Sequence, residues 1–343
     1  MIVTGGRGFI GRRLLGPLVA NGASVSALVR SGHDRGLLGA AGARVSVAAI
    51  RPGPKLVNAL AGHDVLINLA YDMRAGMAEN VETFDALIGA AKTAGIQRVV
   101  HVSSAVVYDA WPDGTITENS PMSETRNSSY RDAKLHMENS LLDSELQAAI
   151  LQPTIVYGTG SALWTVAPMA ALAGGGVVLP DPIGSCAAVH VDDVVQAAVL
   201  AADLTGLQKE RFLISGAAPV PWDAFYEGYR NILGHGTIIR KPAAELMDAL
   251  GESSSVLTSS GPSIAARISA SLRRIVGNRR FEQIRDIAAG LPGRGGPAWP
   301  DRHMMALYSA NPSVSIEKAR SVLGYDPQFD FQRGLAQIAA NKG

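Results

Sequence analysis

The sequence predicts an α/β fold: a doubly wound parallel sheet carrying a smaller C-terminal lobe. Three observations predict it. Short stretches that are hydrophobic nearly throughout alternate with helical stretches over the first 150 residues. The chain has 343 residues, 47% hydrophobic and 18% charged, enough for one large α/β domain with an added lobe or for two domains. After Gly158 the alternation loosens, and residues 161–188 are rich in Gly, Pro and Ala. Strands apolar on both faces need helices on both faces, which is the arrangement of a parallel sheet. The predicted division is a sheet domain over 1–158, with 189–215 returning to it, and a lobe made mainly of 159–188 and 216–343.

The elements follow in order. Ile2–Thr4 is a buried strand, and Thr4-Gly5-Gly6-Arg7-Gly8-Phe9-Ile10-Gly11 is a glycine-rich turn leading into a helix over 9–20. Gly5, Gly8 and Gly11 leave the backbone open to a pyrophosphate, and the helix start offers free N–H groups and a positive dipole end. A strand before and a helix after make this a dinucleotide cradle of the Rossmann type rather than a chance glycine pattern. Further strands are expected at Ser24–Val29, Arg44–Ala48, Val65–Leu69, Arg98–Ser103 and Ala148–Gln152, with helices near 34–40, 55–61, 76–94 and 128–145. Ligands bind at the carboxyl ends of such strands, where Gly5, Arg30, Ala70 and Ser104 fall. Val189–Ala202 reads as a strand then a helix, and Arg211–Ser215 as another strand. Residues 240–300 show no sheet pattern. Gly290–Pro300 reads as a lid-like loop, and Ser315–Gly324 and Phe331–Asn341 as two helices.

The net charge of +1 gives no global reason to expect nucleic acid or an acidic membrane surface as partner. Cys186 is the single cysteine, so no internal disulfide can form and a reducing compartment is expected. No apolar run reaches the roughly 20 residues of a membrane span. The first strand begins at Ile2 with no charged stretch before it, so no leader is expected and the predicted location is cytoplasmic.

Ser128-Ser129-Tyr130-Arg131-Asp132-Ala133-Lys134 places Tyr130 and Lys134 four residues apart, on one face of a helix. The ammonium is expected to lower the tyrosine pKa by favouring phenolate. The phenol can then exchange a proton with a substrate hydroxyl or carbonyl as hydride moves. Ser104 ends a predicted strand, and a hydroxyl there can hold the same oxygen and stabilise its charge.

Taken together these motifs resemble the extended short-chain dehydrogenases/reductases of the epimerase/dehydratase superfamily. The matching residues are the glycine turn, Leu69-Ala70, Asn80, Ser103-Ser104-Ala105-Val106-Val107-Tyr108, Glu118, Tyr130 with Lys134 and Glu138, Pro153 with Val156-Tyr157-Gly158, and Val189-His190-Val191-Asp192-Asp193-Val194. Near the end, Ser315-Ile316-Glu317-Lys318-Ala319 and Leu323-Gly324-Tyr325-Asp326-Pro327 follow the same pattern, leaving 240–300 as the unmatched stretch. The resemblance implies an enzyme in which Ser104, four before Tyr108, is the catalytic serine, Tyr130 the acid/base, and Lys134 a tuning group that also holds the nicotinamide ribose. It implies cofactor contacts at Gly5, Gly8, Phe9, Ile10, Gly11, Leu69, Ala70, Tyr130, Lys134 and Pro153, and support of the site by Asn80. It makes His190, Asp192 and Asp193 structural; no metal is expected. A homodimer through the helices at 76–94 and 128–145 is a family expectation.

The end of the second strand reads Leu28-Val29-Arg30-Ser31, with no carboxylate to hold ribose hydroxyls. Arg30 can pair with a 2′-phosphate, with Arg7 assisting, so NADP(H) is expected over NAD(H); the plainer reading of Arg30 is a solvated strand end. After the third strand, Ala48-Ala49-Ile50-Arg51-Pro52 lacks the aspartate that family members place near adenine. Ile155 and Cys186 stand where nucleotide-sugar members carry an asparagine and an arginine for the diphosphate. Tyr71, Met73, Trp111, Trp164 and Met169 are large and mostly apolar, and either line a pocket or belong to the lobe core. The expected activity is reduction of a carbonyl, or oxidation of a secondary alcohol, on a small molecule. The alternatives are a nucleotide-sugar epimerase or dehydratase with retained NAD, and a non-catalytic dinucleotide sensor. Between Ser263 and Arg285, six arginines and a three-to-four spacing of Ile and Leu read as an amphipathic helix with a cationic face. That helix is either solvated and packed on the lobe or in contact with an anionic partner.

Overall fold

The protein is described by a computed structural model covering residues 1–125, 129–206, 208–256 and 296–341. Seven strands form the central sheet: β1 (Ile2–Thr4), β2 (Ser26–Val29), β3 (Arg44–Val47), β4 (Val65–Asn68), β5 (Arg98–Val102), β6 (Gln147–Pro153) and β7 (Lys209–Ile214). Their order is β7-β6-β5-β4-β1-β2-β3, and every neighbouring pair is parallel. The chain runs outward one way from β1 to β3, then crosses back to β4 and runs the other way. The crevice at the carboxyl ends of β1 and β4 is therefore the switch point where such sheets bind ligands. Thr4 lies level with Leu28 on one side and with Asn68 on the other, so the glycine turn opens directly onto that crevice.

Strand periodicity explains the two cores. Successive side chains point to opposite faces. Val3, Ile67 and Val100 pack under helices α1 (Gly11–Ala20) and, later in the chain, Val191–Asp203, through Leu14, Leu15, Leu18, Val194 and Ala198. Ile2, Leu66 and Val99 pack on the opposite face under α3 (Pro54–Leu60), α4 (Met77–Ala94) and α5 (Tyr130–Asp143), through Leu56, Phe84, Leu87, Met137 and Leu141. The short helix α2 (Arg35–Ala40) lies between β2 and β3. α4 stops at Gly95, whose φ of 80° lets the chain turn left-handed and leave the helix.

A separate cluster rich in aromatic residues forms the lobe: Tyr157, Trp222, Phe225, Tyr229, Tyr308 and Phe331 pack with Met169, Leu172 and Leu179. Sheet structure is present there, against the expectation for 240–300. Ile238–Pro242 runs parallel beside Val177–Asp181, and Ala298 bridges to Val177. Only Ile238 and Ile239 of that five-residue strand are apolar, so the sequence carries no run long enough to mark it. Ser315–Gly324 also differs from a regular helix: Ala319–Leu323 is a widened π-type turn closed by Gly324 at φ 73°. The closing helix Phe331–Ala340 is clasped to the sheet domain. Asp193 accepts from the backbone N–H of Gln328 at 2.8 Å and of Phe329 at 3.2 Å, and Asp192 accepts from Arg13 at 2.9 Å and from Gln337 at 2.7 Å. The basic segment from Ser263 to Arg285, and the loop read at Gly290–Pro300 as far as residue 295, lie outside the described residues.

Candidate active site

The glycine turn is built so tightly that side chains are excluded. Gly5 has φ +69°, and a Cβ there would lie 2.8 Å from the Leu69 carbonyl and 2.9 Å from the Ala70 nitrogen. A Cβ on Gly11 would lie 2.3 Å from the Gly5 oxygen, and the Gly8 N–H donates to that same oxygen at 2.8 Å. Backbone thus meets backbone where β1, β4 and the start of α1 converge. Such a cradle, open above and lined by amide groups, fits the pyrophosphate of a dinucleotide. One residue that sequence reading missed holds the β4 side in place. Asn68, 1% exposed, accepts from the Thr4 hydroxyl at 2.5 Å and from the Ala70 N–H at 3.2 Å, and donates to His101 Nδ1 at 3.1 Å. The available signal was an amide closing the otherwise apolar strand Val65–Asn68.

Across the crevice, the structure brings Ser104, Tyr130 and Lys134 together. Ser104 follows β5, and Tyr130 is the first residue of α5, whose start is capped by Ser129 accepting from the Asp132 N–H at 3.2 Å. The Ser104 side chain lies near enough to Tyr130 to favour its phenolate, and its hydroxyl accepts from the Val106 N–H at 3.4 Å. Ser103 faces the other way: it is buried, and its hydroxyl has no hydrogen-bond partner. Lys134 is buried and donates to the Val102 carbonyl at 2.9 Å, with Nζ 5.7 Å from the centre of the Tyr130 ring.

Electrostatics correct one expectation. Tyr130 is pushed up from the ordinary phenol value, first by desolvation and then by the neighbouring Tyr71; the Ser104 side chain opposes both. The residue as a whole is 37% exposed. The balance is set by desolvation rather than by the ammonium, because Lys134 is itself desolvated, pulled down to about 8 by burial against the attraction of Glu138. His101, below Lys134 on β5, is held well below the usual imidazole range by burial and by the Lys134 charge.

Glu138 anchors a polar layer under α5. It is fully buried, accepts from Arg211 Nε at 2.7 Å and from Gln152 Nε2 at 3.0 Å, and Gln152 in turn accepts from the Tyr108 hydroxyl at 2.6 Å. Glu118 accepts from the Leu213 N–H at 2.9 Å. These bonds fasten α5 to the adjoining β6 and to β7, which lies far on in sequence. Asn80 is buried and braces the loop after β4, accepting from the Asp72 N–H at 2.9 Å and donating to the Asp72 and Gly76 carbonyls at 3.0 Å.

Arg30 stands at the end of β2 with 78% of its side chain exposed, 3.9 Å from Asp72. Asp72 also accepts from the Arg74 guanidinium at 3.1 and 3.2 Å and from its backbone N–H at 2.9 Å, and the guanidinium bonds are the first cause that holds its carboxyl below the usual range. Nothing in linear sequence signals that Asp72 meets Arg30. Phe9, Ile10, Leu69 and Ala70 are half-buried around the crevice, and Pro153 closes β6 as a buried residue.

The five proposed pocket residues separate. Tyr71 stands against Tyr130, with ring centres 5.0 Å apart at 80°. Met169 is 1% exposed within the lobe core, so it is packing rather than pocket wall. Trp164 leans on Trp222 at 6.0 Å, Trp111 packs at the lobe edge, and Met73 is 65% exposed. Ile155 and Cys186 are also buried in the lobe core.

Sheet order and backbone cradle define the class: a Rossmann-type fold of the extended short-chain dehydrogenase/reductase kind. The chain belongs to the NAD dependent epimerase/dehydratase family, whose model matches residues 1–215. A ketoreductase from Stigmatella aurantiaca, named for 4-hydroxy-2-methyl-3-oxo-4-farnesyl-3,4-dihydroquinoline-1-oxide, is 35% identical over 166 residues, which are 46% of this chain and 50% of that protein. The match thus spans about half the length of that relative. Sterol demethylase protein B of Methylococcus capsulatus is 26% identical over 234 residues, 63% of this chain and 69% of that one. Among solved structures, MoeE5 in complex with UDP-glucose and NAD shares the fold at 20% identity and TM-score 0.67, covering 99% of this chain and 97% of that one. A dTDP-glucose 4,6-dehydratase double mutant from Streptomyces venezuelae with NAD bound does so at 21% identity and TM-score 0.68, covering 99% and 95%. Among the described residues no helix is long and apolar enough to cross a membrane.

Proposed function

We propose that this protein is an NADP(H)-dependent reductase of a carbonyl on an apolar or aromatic small molecule, working also in reverse on the secondary alcohol. The observation that carries this is the gathering of Ser104, Tyr130 and buried Lys134, with Nζ 5.7 Å from the Tyr130 ring, at the carboxyl ends of the same sheet that carries the glycine cradle. The ketoreductase relative supports the same direction of chemistry.

The residues fit a dinucleotide. The Gly5–Gly11 turn would receive the pyrophosphate, Arg30 the 2′-phosphate, Leu69, Ala70 and Pro153 would line its path, and Lys134 would donate to the nicotinamide ribose. When bound, the cofactor supplies a hydride to the carbonyl carbon. Ser104 holds the carbonyl oxygen by hydrogen bonding, and Tyr130 gives that oxygen its phenolic proton, so the product is a secondary alcohol. A phenol held above its ordinary pKa is fully protonated at neutral pH, which suits the donor role in reduction. Lys134 stabilises the phenolate left behind until solvent returns the proton. The lobe of 159–188 and the residues after 216 would close the substrate side. Burial of Ile155 and Cys186 in the lobe core supplies no diphosphate contact and disfavours a nucleotide sugar.

The test is fluorescence titration with NADPH and with NADH, followed by a carbonyl panel with wild type and Tyr130→Phe. Reversible NADPH binding, turnover by wild type and loss of turnover in Tyr130→Phe with binding kept are expected. Normal turnover in Tyr130→Phe would sink the mechanism, and NADH preference would sink the cofactor assignment. Protein purified with NAD already bound would point instead to an internal hydride cycle.

A further inference from the structure

We propose that Tyr71 is a positioning residue of this active site: its ring braces Tyr130 edge-on and roofs Lys134, keeping water from the ammonium. This rests on the reading of Tyr130 and Lys134 given above. The geometry is a three-body contact. Tyr71 and Tyr130 meet edge to face with centres 5.0 Å apart, and Lys134 Nζ lies 5.0 Å from the centre of the Tyr71 ring. Nζ is already bonded to the Val102 carbonyl, so the ammonium sits between a backbone oxygen and two aromatic rings. A cation on a ring is attracted by the ring quadrupole, and more strongly where water is excluded.

The ring is held there by its neighbours in sequence. Ala70, just before it, is fixed by Asn68, and Asp72, just after it, is fixed in both directions by Asn80. Asn68 and Asn80 are both buried. Tyr71 is thus placed by β4 and α4 together.

Two consequences follow. Covering Lys134 adds to the desolvation that lowers its pKa, and a second phenol beside Tyr130 makes phenolate harder to form. The groups facing the pair are Tyr71 from the loop after β4, His101 from β5, Ser104 just after it, and Glu138 from α5 itself. Among them Tyr71 can be removed without touching the hydrogen bonds of Ser104 or Glu138.

Lysine acylation by acetic anhydride, read by peptide mass spectrometry, tests the cover directly. The rate at Lys134 is normalised to exposed Lys55 in the same molecule. Tyr71→Ala should speed Lys134 labelling at least tenfold, and Tyr71→Phe should leave it within twofold of wild type. If Tyr71→Ala does not fold, Tyr71→Val supplies the same comparison. Labelling within twofold of wild type in a folded Ala or Val variant overturns the proposal. The second readout is the pH profile of carbonyl reduction with NADPH. Without Tyr71, Tyr130 loses its proton more easily, so the alkaline fall in rate should move to lower pH, in Tyr71→Phe by less than in Tyr71→Ala. An unmoved profile counts against the bracing role. Absence of turnover in wild type would instead overturn the reductase reading, while the labelling ratio still decides the cover.

Discussion

Replacing Glu138 by Ala removes a fully buried carboxylate under α5. Arg211 Nε, at 2.7 Å, and Gln152 Nε2, at 3.0 Å, then lose their acceptor, and both come from other elements of the sheet domain. Glu138 is fully buried and the Arg211 side chain is 19% exposed, so solvent can repair little of the loss. Removing one partner of a buried ion pair costs about 3–5 kcal/mol, since the other charge stays behind uncompensated. At about 2–4 °C per kcal/mol, the melting temperature should fall by roughly 10 °C. Glu138→Gln keeps the shape and one acceptor but opposes two amide N–H groups, and should cost about 1–3 kcal/mol. Both variants also remove the charge that favours protonated Lys134, so that lysine should drop below its present value of about 8. Thermal melts followed by circular dichroism measure the first effect, and acylation of Lys134 against pH measures the second. A Glu138→Ala protein melting within about 2 °C of wild type would refute the argument that this layer fastens α5 to β6 and β7.

Three further predictions concern the site. Lys134 has a folded pKa of about 8 against an ordinary 10.5, so the folded state binds this proton less readily than the unfolded one. Its charge therefore costs stability below pH 8, on the order of 3 kcal/mol, and the cost fades as pH rises towards 10.5. Lys134→Met should accordingly melt at or above wild type at neutral pH while losing turnover; a clearly lower melting temperature would contradict it. Arg30→Ala should weaken NADPH binding by a factor on the order of 10–100, the worth of a charge-assisted bond, and leave NADH binding unchanged in the same fluorescence titration; equal losses for both would exclude a 2′-phosphate contact. Gly5→Ala should cost about 1–2 kcal/mol for its left-handed backbone, plus the clash of a Cβ 2.8 Å from Leu69, and should abolish nucleotide binding. Gly22→Ala, at φ +85° with open space around it, is the control that pays only the backbone term in urea unfolding.

By itself the sequence determined the elements whose signals are local. Period and polarity marked the strands of the sheet to within a residue or two, because the inner strands β1, β2, β4, β5 and β6 are covered on both faces and their apolar runs are scarcely interrupted; the edge strand Arg44–Val47 is half-exposed. The glycine turn was legible because its spacing answers to backbone contacts within one turn, and the Tyr130/Lys134 pair because four residues is one helical turn. Tertiary structure decided what depends on elements far apart in the chain. Ile238–Pro242 became a strand only because Val177–Asp181 offered it an edge, and Met169 went into the lobe core rather than to a pocket wall. Asp72 came within 3.9 Å of Arg30, and Glu138 found Arg211. The direction of the Tyr130 shift was also a tertiary outcome. A neighbouring ammonium can be read from spacing, but desolvation depends on which groups fold over the pair, and here Tyr71 arrives from the other side of the crevice.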